Sequence, residues 1–177
     1  MSQDLQSRLD QLAPLLVAGS PHAADLGFTL DAVSPGKAVV RAPYRDDLIG
    51  DPETGVMHGG VVTALLDHAA GTAAFAGLGG DKALATLDLR IDYMRPAKPG
   101  CDVIAEAHTV KVSGLIAFVS AIAHDGDRTD PVATAHAAFM VSRVSQEAAD
   151  RVRADIEAGR AGPFTRTPGP GERGGAR

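Results

Sequence analysis

The sequence predicts an α+β domain in which a curved antiparallel sheet wraps around one long central helix. Three observations carry that expectation. The stretch "GVMHGGVVTALLDHAAGTAAF", residues 55–75, is apolar on almost every side, as a buried helix is. Four segments with strand character follow it, joined only by short turn-rich stretches, which implies antiparallel pairing. Two more strand-like segments precede it.

The elements in order rest on separate grounds. Residues 3–18 carry Leu5, Leu9, Leu12, Leu15 and Leu16 at helical spacing, a short amphipathic N-terminal helix interrupted by Pro14. "LGFTLDAVSPGKAVVRAPY" reads as two strands around the turn Ser34-Pro35-Gly36, and "RDDLIGDPETG" as a loop of turn residues. The central helix begins near Gly59 and ends in the Gly77 to Gly80 cluster. "ALATLDLRIDYM" alternates, with Leu87, Leu89, Ile91 and Tyr93 on one side and Thr86, Asp88, Arg90 and Asp92 on the other. "CDVIAEAHTVKV" alternates too, and "LIAFVSAIAHD" turns at Asp125-Gly126 into "PVATAHAAFMVSRV". Residues 146–159 are expected to be helical, and 160–177, rich in Gly, Pro and Arg, to form a disordered tail. The expected organisation is a helical extension over 1–20, the sheet-and-helix domain over 21–145, then the C-terminal helix and tail.

Composition narrows the function. A chain of 177 residues can hold one domain with a real core, and with 4% aromatics and no Trp that core must be Ala, Val, Leu and Ile. A net charge of -5 argues against a general nucleic-acid binder, which needs a basic surface. The single cysteine, Cys101, permits no disulfide within the chain. No apolar run is long enough for a bilayer, and the first residues lack an apolar signal core, so a soluble cytoplasmic protein without membrane association is expected.

One aspartate, Asp67, stands inside the apolar helix. A carboxylate in a dry interior is costly unless paired or hydrogen-bonded, and burial raises its pKa toward the range of a base acting near neutral pH. A structural role, as a cap or paired with Arg90 or His68, is the alternative. Gly59, Thr63, Asp67, Gly71 and Ala74 share one helical face, and all but Asp67 are small, which admits either a ligand or another backbone. His58-Gly59-Gly60 sits at the helix start, where unpaired N–H groups and the positive end of the dipole can form an oxyanion hole.

"TGVMHGGVVTALLDHAAG" together with "ATLDLRIDYMRPAKPG" resembles the signature of hotdog-fold acyl-CoA thioesterases of the phenylacetate-pathway (PaaI-like) group. The resemblance extends over about residues 20–144 and implies the same curved sheet around one helix. It implies that Asp67 is the general base or nucleophile on the thioester and that the Gly59 N–H polarises its carbonyl. It further implies that Thr86 positions the attacking water and that His58 supports the oxyanion geometry. Many relatives carry an Asn about six residues before the motif His; here that place is Pro52. Asp51 and Asp47 lie near it, but neither donates as an amide does.

Arg95 and Lys98 in "YMRPAKPG" are candidates to hold coenzyme A phosphates, with a solvated strand end as the alternative. His108, His124 and His136 fall on separate strands, and no metal site and no cofactor is expected, coenzyme A being part of the substrate. Hydrolysis of an acyl- or aryl-CoA thioester is the leading expectation. A hotdog enoyl-CoA hydratase or dehydratase and a non-catalytic acyl-CoA-binding or regulatory module are the alternatives. Gly59 and Asp67 are separated by a rise of about 12 Å, too far to serve one carbonyl from one rigid helix. If both are catalytic, a homo-oligomer with active sites shared between chains is expected; the resemblance implies the same arrangement, a dimer or a dimer of dimers.

Overall fold

The computed structural model describes residues 2–143; the helix expected over 146–159 and the tail over 160–177 lie outside the described residues. Helix α1 (Ser2–Ala18) and a five-residue α2 (Pro21–Asp25) come first, then β1 (Thr29–Ser34) and β2 (Lys37–Ala42). A 3-10 turn at Asp46–Leu48 and a small hairpin of β3 (Ile49–Asp51) and β4 (Val56–Met57) lead into α3 (Gly59–Gly77). Four strands complete the fold: β5 (Lys82–Tyr93), β6 (Val103–Ser113), β7 (Ile116–His124) and β8 (Ala133–Arg143).

Six of the strands form one sheet in the order β1-β2-β6-β7-β8-β5, antiparallel throughout. Helix α3 touches all six of them, which is the hotdog arrangement of a sheet around a helix. Strand β5 leaves α3 and pairs with β8, so it occupies a sheet edge. Between β1 and β2, Ser34 faces Lys37 across Pro35-Gly36, and Gly36 adopts φ +73°, the value that the third position of a type II turn requires.

The core is built from small residues on both layers. Ala69, Ala73 and Ala74 of α3 and Ala105, Ala117, Ala121 and Ala135 of the sheet are all buried, with Val62, Leu65 and Leu66 filling the space between. Short side chains on both surfaces let helix and sheet approach closely at crystal-like density.

Three local features differ from the sequence expectation. Helix α1 covers the expected stretch, but Pro14 lies inside one continuous helix, Ser2–Ala18, and does not interrupt it. Its fully buried Leu9 and its ties from Gln6 to the Val33 carbonyl and from Arg8 to the Gly80 carbonyl hold it on the domain, offsetting the hydrogen bond proline cannot make. The expected loop at 45–55 contains the 3-10 turn, β3 and the turn that leads into β4.

The third difference matters most. In β5 an extra residue sits between Thr86, opposite Phe139, and Asp88, opposite Ala138. This bulge leaves Leu87 half exposed and reverses the side-chain phase. Thr86 therefore shares the helix-facing side with Leu89, Ile91 and Tyr93, whereas simple alternation had placed it opposite them and grouped Leu87 with them. Among the described residues no helix is long and apolar enough to cross a membrane.

Candidate active site

Helix α3 begins where it does because His58 caps it. His58 has extended backbone, and its Nδ1 accepts from the Gly60 N–H at 2.9 Å. An accepting Nδ1 leaves the proton of the neutral ring on Nε2. A Cβ on Gly60 would stand 2.8 Å from that Nδ1, so the cap itself demands the second glycine. The neighbouring groups are also engaged: the His58 N–H donates to the Leu48 carbonyl (2.8 Å), and the His58 carbonyl, in the same peptide as the Gly59 N–H, accepts from the Val61 N–H (2.9 Å). The Gly59 N–H has no acceptor among the described residues. The positive end of α3 thus presents one open donor here.

Around that donor a small hydroxyl cluster closes on the Gly59 carbonyl. Tyr93 Oη donates to it at 2.7 Å and Thr63 Oγ1 at 3.1 Å, and the two hydroxyls are 2.9 Å apart. Tyr93 was not among the site residues that the sequence suggested. Its only sequence signal is a tyrosine at the end of the strand that follows the helix.

Two turns along α3, Asp67 Oδ1 accepts from Thr86 Oγ1 at 2.9 Å. The bulge in β5 makes this contact possible. Asp67 Oδ2 has no partner among the described residues, so one carboxylate oxygen is held and the other is open. Neither pairing expected for Asp67 is realised: Arg90 pairs with Asp92 at 3.1 Å, and the His68 ring packs against Phe28. His68 Nε2 is buried without a partner, and burial lowers the ring's pKa, with the Leu16 carbonyl and the Asp67 charge acting the other way.

Asp67 is half-buried in the single chain, not in a dry interior. The sheet covers the opposite face of α3, while Gly59, Thr63, Asp67 and Gly71 lie along a stripe that the chain's own fold leaves at least partly open. Ala74, expected to extend the stripe, is fully buried. A cleft of about 380 Å³ opens beside the helix start, bounded by Gly59, Tyr93, Met57, Met94, Arg95 and Ala97. Asp67 and Thr86 do not line it. A larger cleft of about 550 Å³ runs along α1 and contains none of these residues.

Arg95 lines the cleft, but its guanidinium is engaged within the chain. It grips Asp125 bidentately (2.6 and 2.7 Å), Asp130 Oδ2 (2.8 Å) and the carbonyls of Pro96 and Asp130. All five of its N–H groups are thereby used, leaving none for the phosphate expected there. Arg95 holds the Asp125 carboxyl well below the usual carboxylate range, and Asp125 in turn raises Arg95. Lys98 donates its main-chain N–H to Asp125, but its side chain is 59% exposed, with Nζ 3.7 Å from Asp125. The acids near Pro52 have local partners: Asp47 pairs with Arg45, and Asp51 accepts from Thr54 and from the Glu53 N–H.

Comparison with known proteins places these features in a context. Residues 54–132 match the family model described as the thioesterase superfamily. A Halobacterium salinarum protein is 36% identical over 94 residues, which is 51% of this chain and 61% of its own length. Human acyl-coenzyme A thioesterase 13 is 30% identical over 93 residues, 52% of this chain and 64% of its own. The chain thus spans less than two thirds of the length of these curated relatives. A solved Pseudomonas aeruginosa protein is 36% identical, covering 75% of this chain and 97% of its own with a TM-score of 0.67. A variant of the phenylacetic acid degradation protein PaaI from Thermus thermophilus is 29% identical, covering 71% of this chain and 100% of its own with a TM-score of 0.61.

Proposed function

This chain belongs to the hotdog-fold, PaaI-like thioesterase superfamily, and from that membership we propose that it hydrolyses the thioester of an acyl- or aryl-coenzyme A to the free acid and coenzyme A. One observation carries the reading: a carboxylate fixed at one oxygen by Thr86 and open at the other, on the same helical stripe as the open Gly59 N–H.

In the proposed reaction the thioester carbonyl oxygen lies at the Gly59 N–H, where the helix dipole adds positive potential. Asp67 Oδ2 takes a proton from water as the water oxygen attacks the carbonyl carbon, and the π electrons move onto the oxyanion. Collapse of the tetrahedral intermediate expels the thiolate, which recovers the proton. Thr86 orients the carboxylate, and His58 fixes the helix start so that the donor does not move. Lys98, with its exposed ammonium, is the remaining candidate for a coenzyme A phosphate.

The separation of Gly59 and Asp67 along α3, about 12 Å, favours a site shared between two copies, with Asp67 of one copy facing Gly59 of the other. The open, small-residue stripe supports that approach. A binding module without catalysis is the second reading; it is favoured by Pro52, which cannot donate where relatives carry an amide.

Thiol release from short, medium, long and aromatic acyl-CoAs tests the assignment. Asp67→Asn keeps the shape and removes the base, so turnover should fall by about 10²-fold or more. Near-normal turnover in the folded variant, or no thiol release from wild type with any substrate, would overturn hydrolysis by Asp67. Refolding Asp67→Asn together with Gly59→Val tests the sharing. About half the dimers are then mixed, so roughly a quarter of all sites should regain wild-type chemistry. No recovery with mixed dimers present would show that one chain builds the site alone.

A further inference from the structure

We propose that Tyr93, assisted by Thr63, is a positioning residue that fixes the Gly59–Gly60 peptide and so steadies the helix start that carries the Gly59 N–H. The inference rests on the hydrolytic reading for its consequence in turnover, but its geometry stands apart from it.

Every polar main-chain group around that donor is tied except the donor itself. The preceding N–H, of His58, is bound to Leu48, and the His58 carbonyl receives the Val61 N–H. The following N–H, of Gly60, is bound to the His58 ring. The Gly59 carbonyl receives Tyr93 Oη at 2.7 Å and Thr63 Oγ1 at 3.1 Å. Of these ties only the one from Tyr93 joins the helix start to β5; the one from Leu48 joins it to the 3-10 turn, and the others are local to α3.

Two adjacent glycines make such anchoring necessary. Gly59 and Gly60 carry no Cβ to restrict φ and ψ, and the first turn of a helix lacks the ladder bonds that hold its interior. A helix start of this kind frays readily, and a frayed donor is a poor electrostatic catalyst because it must reorganise as charge develops. Tyr93 supplies a rigid ring from a strand and bonds to a carbonyl, so it restrains the Gly59 main chain on the side opposite its N–H.

The hydroxyl cluster has a second property. Two hydroxyl protons serve three close oxygen pairs, so at most two of the three contacts are filled at once. With both protons directed to the Gly59 carbonyl, each hydroxyl oxygen keeps a lone pair. Tyr93 is 50% exposed at the cleft wall, so the lone pair on Oη can accept from an N–H or O–H of the bound substrate. Substrate binding and donor alignment thus meet at one side chain.

Tyr93→Phe removes Oη and keeps the ring; Thr63→Val removes the second hydroxyl, and Thr63→Ser restores it. Tyr93→Phe should lower kcat for acyl-CoA hydrolysis about tenfold, with KM changed less than about threefold. Thr63→Val should lower kcat less, and Thr63→Ser should match wild type. Amide hydrogen exchange, followed by NMR on the same proteins, should show the Gly60 N–H exchanging several-fold faster in Tyr93→Phe, with core amides of α3 unchanged. A folded Tyr93→Phe protein with wild-type kcat, or with a change in KM alone, would overturn the positioning role, as would an unaltered Gly60 exchange rate. If wild type itself releases no thiol, the hydrolytic reading falls and the exchange measurement alone decides the positioning claim.

Discussion

Asp125 offers a perturbation whose size follows from the coordinates. Its side chain is fully buried and accepts two bonds from Arg95 (2.6 and 2.7 Å) and one from the Lys98 main-chain N–H (2.8 Å). Asp125→Ala removes the carboxylate and leaves Arg95, 20% exposed, with donors unmatched. Removing one partner of a buried pair costs about 3–5 kcal/mol. Arg95 retains Asp130 and some access to water, so the low end, about 3 kcal/mol, applies. At roughly 2–4 °C per kcal/mol for a chain of this size, Tm should fall by about 6–12 °C at pH 7. The pH dependence has a definite sign. The folded carboxyl titrates below its unfolded value, so its contribution is complete above the ordinary aspartate pKa of about 3.9 and is lost as pH falls toward the folded value. The gap in Tm between wild type and variant should therefore be constant from pH 7 to about 5 and narrow below about 4. Because Met94, Arg95 and Ala97 wall the cleft, KM should rise in the same variant. Thermal unfolding followed by circular dichroism across pH 3–7 measures the gap. A Tm change under about 2 °C at pH 7, or a gap that does not narrow in acid, would refute the reasoning.

Two further outcomes are expected. Gly60→Ala brings a Cβ to 2.8 Å from His58 Nδ1, so the ring must swing off the helix start. The lost cap, about 1 kcal/mol, nearly cancels the gain of alanine over glycine in a helix, so Tm should hold within a few degrees while turnover drops; full activity would show that the His58 cap does not matter. His68 is held neutral by burial, its folded pKa lying below the ordinary value, so its contribution is present above about pH 6.5 and fades as pH falls. His68→Leu should remove that part of the decline in Tm between pH 7 and 5, and an unchanged pH profile would count against it.

The helix that carries the site was legible because its signals are local. An apolar run bounded by His58-Gly59-Gly60 and by the Gly77–Gly80 cluster requires nothing beyond its own residues to be recognised, and α3 spans Gly59–Gly77. The large strands were legible for the same reason. What stayed hidden depends on partners distant in sequence. Whether Thr86 faces Asp67 is decided by a bulge against β8, some fifty residues away, and strict alternation cannot register an inserted residue. Arg95 reads as a free phosphate ligand until Asp125 and Asp130 fold onto it from the β7–β8 connection. The bonds of Tyr93 to the Gly59 carbonyl and to Thr63 likewise join residues thirty or more positions apart. Helix α2 and the β3–β4 hairpin are too short for any periodicity to develop.

The extra residue in β5 makes the site a proofreader of the sheet. Thr86 and Tyr93 are an odd number of residues apart, so an unbroken pairing with β8 would turn one of them away from α3. A chain with β5 paired without the bulge, or slipped by one residue, would lose either the hold on Asp67 or the tie to Gly59. Spectroscopic measures of secondary structure would pass it as native. Turnover by the proposed mechanism would not, and under that mechanism specific activity per folded molecule measures how faithfully β5 found its register during folding.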